Sequence, residues 1–228
     1  VFSAVTFLPA AALALGIVLA GDSLPVPVQV AGGLAAATLA VIGSLIVWFF
    51  RSPYRTVPVE PGLVVSPADG TVVEVDDLDH DEFVGGPAVR IGIFLSIFSV
   101  HVNRAPVAGR VIGLRYQPGK YLNALRAASA RENEQLAVRM QETTAPYRRY
   151  VVRQITGAIA RRIVCWLKPG DVLGRGEIFG MIKLGSRTEL VLPRGPGLTV
   201  RTKIGDKVRA GATVLAHYAD DAGRGGGP

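Results

Sequence analysis

The stretch GEIFGMIKLGSRTELVLP, Gly176–Pro193, decides how the second half of this sequence folds. Ile178, Phe179, Met181, Ile182 and Leu184 make one strand-like run, and Leu190, Val191 and Leu192 make a shorter one. Apolar and β-branched residues interrupted by glycine read as strand, corner, strand. The corner is Gly185-Ser186. A hairpin turn needs no more than two small residues there, yet a serine at a corner also offers a hydroxyl for chemistry. From this stretch alone both readings stand.

Working outward, the same rhythm covers most of the chain beyond residue 60. GLVVSPADGTVVEVDD (62–77) reads as strand, turn, strand, with Pro67-Ala68-Asp69-Gly70 as the turn. AVRIGIFLSIFSVHVNRAPVAGRVIGLRY (88–116) supplies further strands around a corner at Asn103–Pro106. YVVRQITGAIARRIVCWL (150–167) follows, and GLTVRTKIGDKVRAGATVLAHY (197–218) has the strand, Gly-Asp turn, strand rhythm of a small β-barrel. The turns in Pro67–Val75 and Gly205–Val214 look like corresponding parts of one β-architecture. Asn123–Met140, NALRAASARENEQLAVRM, is rich in helix formers and is expected to be the one main soluble helix. The tail from Ala219 is rich in glycine and is expected to be disordered.

Residues 1–50 have a different character, with Asp22 as their single charge. Two apolar runs, Ala4–Ala20 and Ala31–Phe50, are expected to form a transmembrane helical hairpin turned at GDSLPVPVQ. The second run is long enough for a hydrocarbon core of about 30 Å. All 25 basic residues lie beyond residue 50, against 17 acidic ones, so this part carries +8. Arg51 and Arg55 follow the second run, which places the large domain on the cytoplasmic side of the cell membrane. The expected domains are therefore a membrane anchor, 1–55, and a catalytic domain, 56–228.

The basic excess is scattered and has no aromatic-rich RNA motif or zinc-ligand spacing, so neither nucleic acid nor a metal is expected. A basic domain tethered at a bilayer suits anionic lipid head groups. The single cysteine, Cys165, excludes an internal disulfide and reads as a structural thiol in a reducing compartment.

Among three histidines, His80 sits in an acidic loop and His217 near the last strand. His101 follows the apolar run IGIFLSIFSV and precedes a polar corner. With Asp69 and Ser186 it would supply base, orienter and hydroxyl, although each residue also has an ordinary structural use. Lys183 in GMIKLG raises a rival, a lipoyl- or biotinyl-like carrier or adaptor domain modified at that lysine. A membrane serine hydrolase using intact Ser186 is a third reading.

Taken together, SPADGTV, FLSIFSVHVNRAPVAG, YLNALRAASARENEQ, QITGAIARRIVCW, GEIFGMIKLGSRTELVLP and VRTKIGDKVRAGATVLA resemble the phosphatidylserine decarboxylase family in its short prokaryotic form. The resemblance runs in order over residues 60–216. It implies a mainly β, barrel-sandwich-like α+β domain and a proenzyme that cuts itself between Gly185 and Ser186. A β chain, 1–185, and an α chain, 186–228, would result, with Ser186 converted to a covalent pyruvoyl group. The implied activity is that of a pyruvoyl-dependent carboxy-lyase, turning phosphatidylserine into phosphatidylethanolamine through a Schiff base. By resemblance His101 is the base, Asp69 orients it, and the protein forms a homodimer. Longer relatives carry a second histidine three residues on, where this chain has Arg104. A guanidinium there is expected to bind the phosphate or carboxylate of the head group.

Overall fold

Strand by strand, the computed structural model follows the glycine and proline punctuation of the sequence. It describes residues 11–12, 14–16, 24–126, 128–158, 162–182 and 185–219. The chain divides into two compact units, Val1–Arg51 and Ser52–Pro228.

In the first unit, helix α1 covers Val26–Phe49. Its 24 residues carry no charge and reach about 36 Å at 1.5 Å per residue, enough to cross a bilayer. It begins earlier than the second apolar run, because Pro27 falls in the first turn, where its missing N–H costs no helical hydrogen bond. Thus Val26–Gln29, expected as part of the hairpin turn, is helical. The helix stops before Pro53, and Arg51 stacks on the Trp48 ring at 4.0 Å. Most of Ala4–Ala20, the other arm of the expected hairpin, lies outside the described residues.

The second unit is mainly β. Its strands begin with β1 (Leu63–Val65), β2 (Gly70–Asp81), β3 (Gly86–Leu95), β4 (Val102–Arg104) and β5 (Gly109–Gln117). After a short helix come β6 (Gln135–Gln141), β7 (Arg149–Ile155), β8 (Ile163–Cys165), β9 (Val172–Leu173) and β10 (Ile178–Ile182). The last four are β11 (Ser186–Pro193), β12 (Leu198–Val200), β13 (Lys207–Val208) and β14 (Val214–Tyr218). A curled, half-barrel antiparallel sheet has the order β13-β2-β3-β11-β7-β6-β5-β9. Two three-stranded sheets, β1-β14-β12 and β4-β10-β8, complete the unit.

Alternation along the large sheet separates two faces. Ile91, Ile93, Val138, Met140, Val152, Leu190 and Leu192 point into the main core with Phe179 and Tyr150. Each such side chain contributes roughly 1.5–3 kcal/mol when fully buried. The two turns that looked equivalent in sequence interlock: Ser66 N–H donates to Thr213 O at 2.8 Å and Gly211 N–H to Ser66 O at 2.9 Å.

The expected soluble helix is the clearest correction. Among the described residues of Asn123–Met140, only α2, Ser129–Glu132, is helical, and Gln135–Gln141 is strand β6. Local composition favours a helix, but β6 lies between β5 and β7 and fills both hydrogen-bond ladders. Val138 and Met140, two residues apart, enter the core together only in an extended chain. Tertiary pairing overrides propensity here. Amide exchange should therefore be slow across residues 136–141, comparable to β11, and fast across 128–132. Fast exchange throughout 136–141 would refute the strand.

Candidate active site

Two chain crossings meet at the seam between the large sheet and the β4-β10-β8 sheet. β3 belongs to the large sheet and β4 to the small one, and their connection ends at His101. β10 belongs to the small sheet and β11 to the large one, and their connection ends at Gly185-Ser186. Register aligns the crossings: Ser186 pairs with Leu95 on one side, and Met181 pairs with Val102 on the other. Ile182 N–H donates to His101 O at 3.2 Å. The Gly-Ser corner is therefore not a hairpin, since β10 and β11 pair with different strands.

His101 and Ser186 are both fully buried. Gly185 N–H donates to His101 Nε2 at 3.3 Å. An accepting Nε2 carries a lone pair, so the imidazole is in a form able to take a proton. The Ser186 hydroxyl is buried yet has no hydrogen-bond partner among the described residues. Orphaned buried hydroxyls are costly, and such cost concentrates where chemistry is done. Gly185 has φ +64°, the left-handed region that side chains rarely adopt, so a glycine is needed on the carbonyl side of Ser186.

Asp69 stands differently from the expectation. Its Oδ2 pairs with Arg55 at 2.7 Å, and its Oδ1 accepts from Ala210 N–H at 2.8 Å. Its hydrogen bonds thus tie the 66–70 turn to Arg55 and to the 205–214 turn. Burial pushes the Asp69 carboxyl above its ordinary value of 3.8, while Ala210 N–H, Arg55, Arg209 and Arg104 pull it down. Arg104 donates to Gly176 O at 2.9 Å and Pro53 O at 3.2 Å, so its fork holds backbone carbonyls. His80 is exposed on β2, and His217 is half-buried on β14. Cys165 is half-buried on β8, and burial raises its thiol pKa, which suits a structural thiol. Lys183 lies outside the described residues. Among the described residues no cluster of His, Cys, Asp or Glu could hold a metal.

Sequence reading missed a buried polar layer behind the serine. Asn103 Nδ2 donates to Thr188 Oγ1 at 3.1 Å and Pro67 O at 3.3 Å, and Gln154 Nε2 donates to Asn103 Oδ1 at 2.9 Å. On the other face of β11, Arg187 Nε donates to Glu189 at 2.9 Å, and the same guanidinium bonds Glu74. Arg153 bridges Glu189 at 3.3 Å and Asp81 at 3.4 Å. Charges this buried persist only when paired, and removing one partner typically costs about 3–5 kcal/mol. The one sequence cue was the alternation in Ser186-Arg187-Thr188-Glu189, with polar residues on both faces of an otherwise apolar strand.

In class, this is a mainly β protein in which a buried serine follows a positive-φ glycine whose N–H donates to a buried imidazole. The phosphatidylserine decarboxylase family profile matches residues 42–216. A phosphatidylserine decarboxylase proenzyme of Rhodopirellula baltica is 54% identical over 183 residues, covering 80% of this chain and 75% of its own. Those of Carboxydothermus hydrogenoformans and Chlorobium phaeobacteroides are 43% and 41% identical over 197 and 207 residues. These cover 80% and 90% of this chain, and 91% and 93% of their own. The chain belongs to the phosphatidylserine decarboxylase family.

The raised Asp69 value fixes a sign. A carboxyl that binds its proton more tightly when folded contributes stability below 3.8, and that contribution is lost as pH rises through the folded value. Urea unfolding of an uncleaved Ser186→Ala protein, with and without Asp69→Asn, should show the Asp69 protein losing ground as pH rises. The opposite slope would mean that Arg55 outweighs burial.

Proposed function

We propose that this chain is a pyruvoyl-dependent phosphatidylserine decarboxylase, made as a proenzyme that cuts itself between Gly185 and Ser186. The observation that carries the reading is the Gly185 N–H to His101 Nε2 hydrogen bond next to a buried Ser186 hydroxyl that has no partner among the described residues.

His101 Nε2 takes the Oγ proton as Ser186 Oγ bonds to the Gly185 carbonyl carbon. The C–N bond then breaks and the proton passes to the departing nitrogen, leaving an ester. Removal of the Ser186 Cα proton expels the ester oxygen, so Gly185 leaves as the carboxylate end of residues 1–185. Water hydrolyses the remaining dehydroalanine to a ketone and ammonia, at the head of residues 186–228. A pyruvoyl ketone, conjugated with its amide, supplies a sink for the electron pair left when a carboxylate departs as carbon dioxide. The Ser186 position suits such a group because it is buried from bulk water. We assign to His101 Nε2 the return of a proton to the α-carbon of phosphatidylserine. Asp69 then acts at longer range, through the turns that it ties together.

Residues 1–55 serve as the anchor and 56–228 as the catalytic part on the cytoplasmic side. The uncharged α1 followed by Arg51 supports this arrangement. A barrel-sandwich likeness gains support from the interlocked 66–72 and 205–214 segments. An amphipathic substrate is supported by Ile97 and Phe98, which are 42% and 68% exposed in the loop leading to His101.

Denaturing gels and intact mass should reveal two chains, the smaller beginning with a blocked pyruvoyl group. Ser186→Ala should leave one uncut, inactive chain, and His101→Ala should slow cleavage by about 10²–10⁴-fold. Full decarboxylation by Ser186→Ala would end this reading.

Phe98→Ser should lower turnover of phosphatidylserine in vesicles several-fold while leaving self-cleavage, followed by gel, at its normal rate. Equal turnover in vesicles and on dispersed short-chain substrate would remove the lipid-facing role of this loop.

A further inference from the structure

We propose that Gly157 is a positioning residue for self-cleavage: its missing side chain seats the scissile Gly185 carbonyl. This inference rests on the self-cleaving reading above. A Cβ built on Gly157 would lie 2.1 Å from Gly185 O and 3.1 Å from Gly185 C. It would also lie 3.3 Å from the Ala124 Cβ. The glycine is not needed for backbone conformation, since Gly157 is absent from the left-handed residues. Space against one carbonyl oxygen is what excludes a methyl group.

The backbone around Gly157 has little room to retreat. Thr156 N–H donates to Glu134 O at 3.0 Å, and Asn133 Nδ2 donates to Thr156 O at 2.7 Å. The same buried Asn133 holds Leu122 through both its N–H, at 2.8 Å, and its carbonyl, at 2.9 Å. One side chain thus fixes Thr156, next to Gly157, and Leu122, two residues before Ala124. The C–H bond that a Cβ would replace points at the oxygen that must take up negative charge. Ser186 Oγ bonds to the carbonyl carbon, and the carbonyl π pair moves onto that oxygen until the C–N bond breaks. A carbonyl held in one place keeps its carbon in line for Oγ.

An alanine would push the oxygen by about 1 Å, a misplacement that can cost about 100-fold in rate. Gly157→Ala should accordingly mature about 100-fold slower than the unaltered protein, while Gly113→Ala, in open space, should match it. After long incubation, turnover per pyruvoyl group in the matured Gly157→Ala fraction should be close to normal, because cleavage frees the Gly185 carboxylate to move. Gly157→Ala with Ala124→Gly should remain slow, since the oxygen contact persists. Normal maturation of Gly157→Ala would overturn the proposal, as would rescue by Ala124→Gly. A matching fall in turnover per pyruvoyl, or loss of native circular dichroism, would make Gly157 a general folding requirement and also overturn it. If the unaltered protein is never cut, the proposed function fails first, and the gel shows which of the two has failed.

Discussion

The pairing of β11 with β3, beginning at Ser186 opposite Leu95, is the constraint on which the site depends. It places the first residue of β11 at the end of a central strand of the large sheet. The companion pairing of β10 with β4 brings His101 to the same strand end. A one-residue slip in either register would turn the affected side chains to the opposite face. Register, more than any single contact, brings the imidazole to the Gly185 N–H, one residue from the serine.

Holding that register takes more than an apolar core. One face of β11 carries Thr188, Leu190 and Leu192, and the other carries Arg187 and Glu189. Arg187 and Glu189 are fully buried, so their stability depends on pairing with Glu74 and with Arg153, which Asp81 holds in turn. Such a network favours a single arrangement, because each shifted alternative would strand a buried charge. Asn103 and Gln154 act similarly on the core side, with hydrogen bonds in place of charge. The strand that begins with Ser186 is therefore gripped from both faces.

The corner itself is less evenly satisfied. The Ser186 hydroxyl is buried and has no partner among the described residues. Local departures of this kind are tolerated where the surrounding structure over-determines the geometry. Here the two sheets on either side of the seam do that.

Much of this was legible in the residues themselves. Strand punctuation, the apolar Ala31–Phe50 run and the roles suggested for Gly185, Ser186 and His101 all follow from local pattern and family motifs. Three features were not legible, for physical reasons. Gln135–Gln141 has helical composition, and only its two neighbouring strands make it extended. Asp69 and Arg104 are motif residues whose partners, Arg55, Ala210, Gly176 and Pro53, are chosen by chain crossings that no local pattern encodes. Gly157 reads as one more loop glycine until the fold sets the Gly185 oxygen against it. Sequence by itself determined which residues could do chemistry, because that is a property of their functional groups. Tertiary structure alone decided which of them meet, because contacts between distant segments depend on strand register and on the space left between crossing chains.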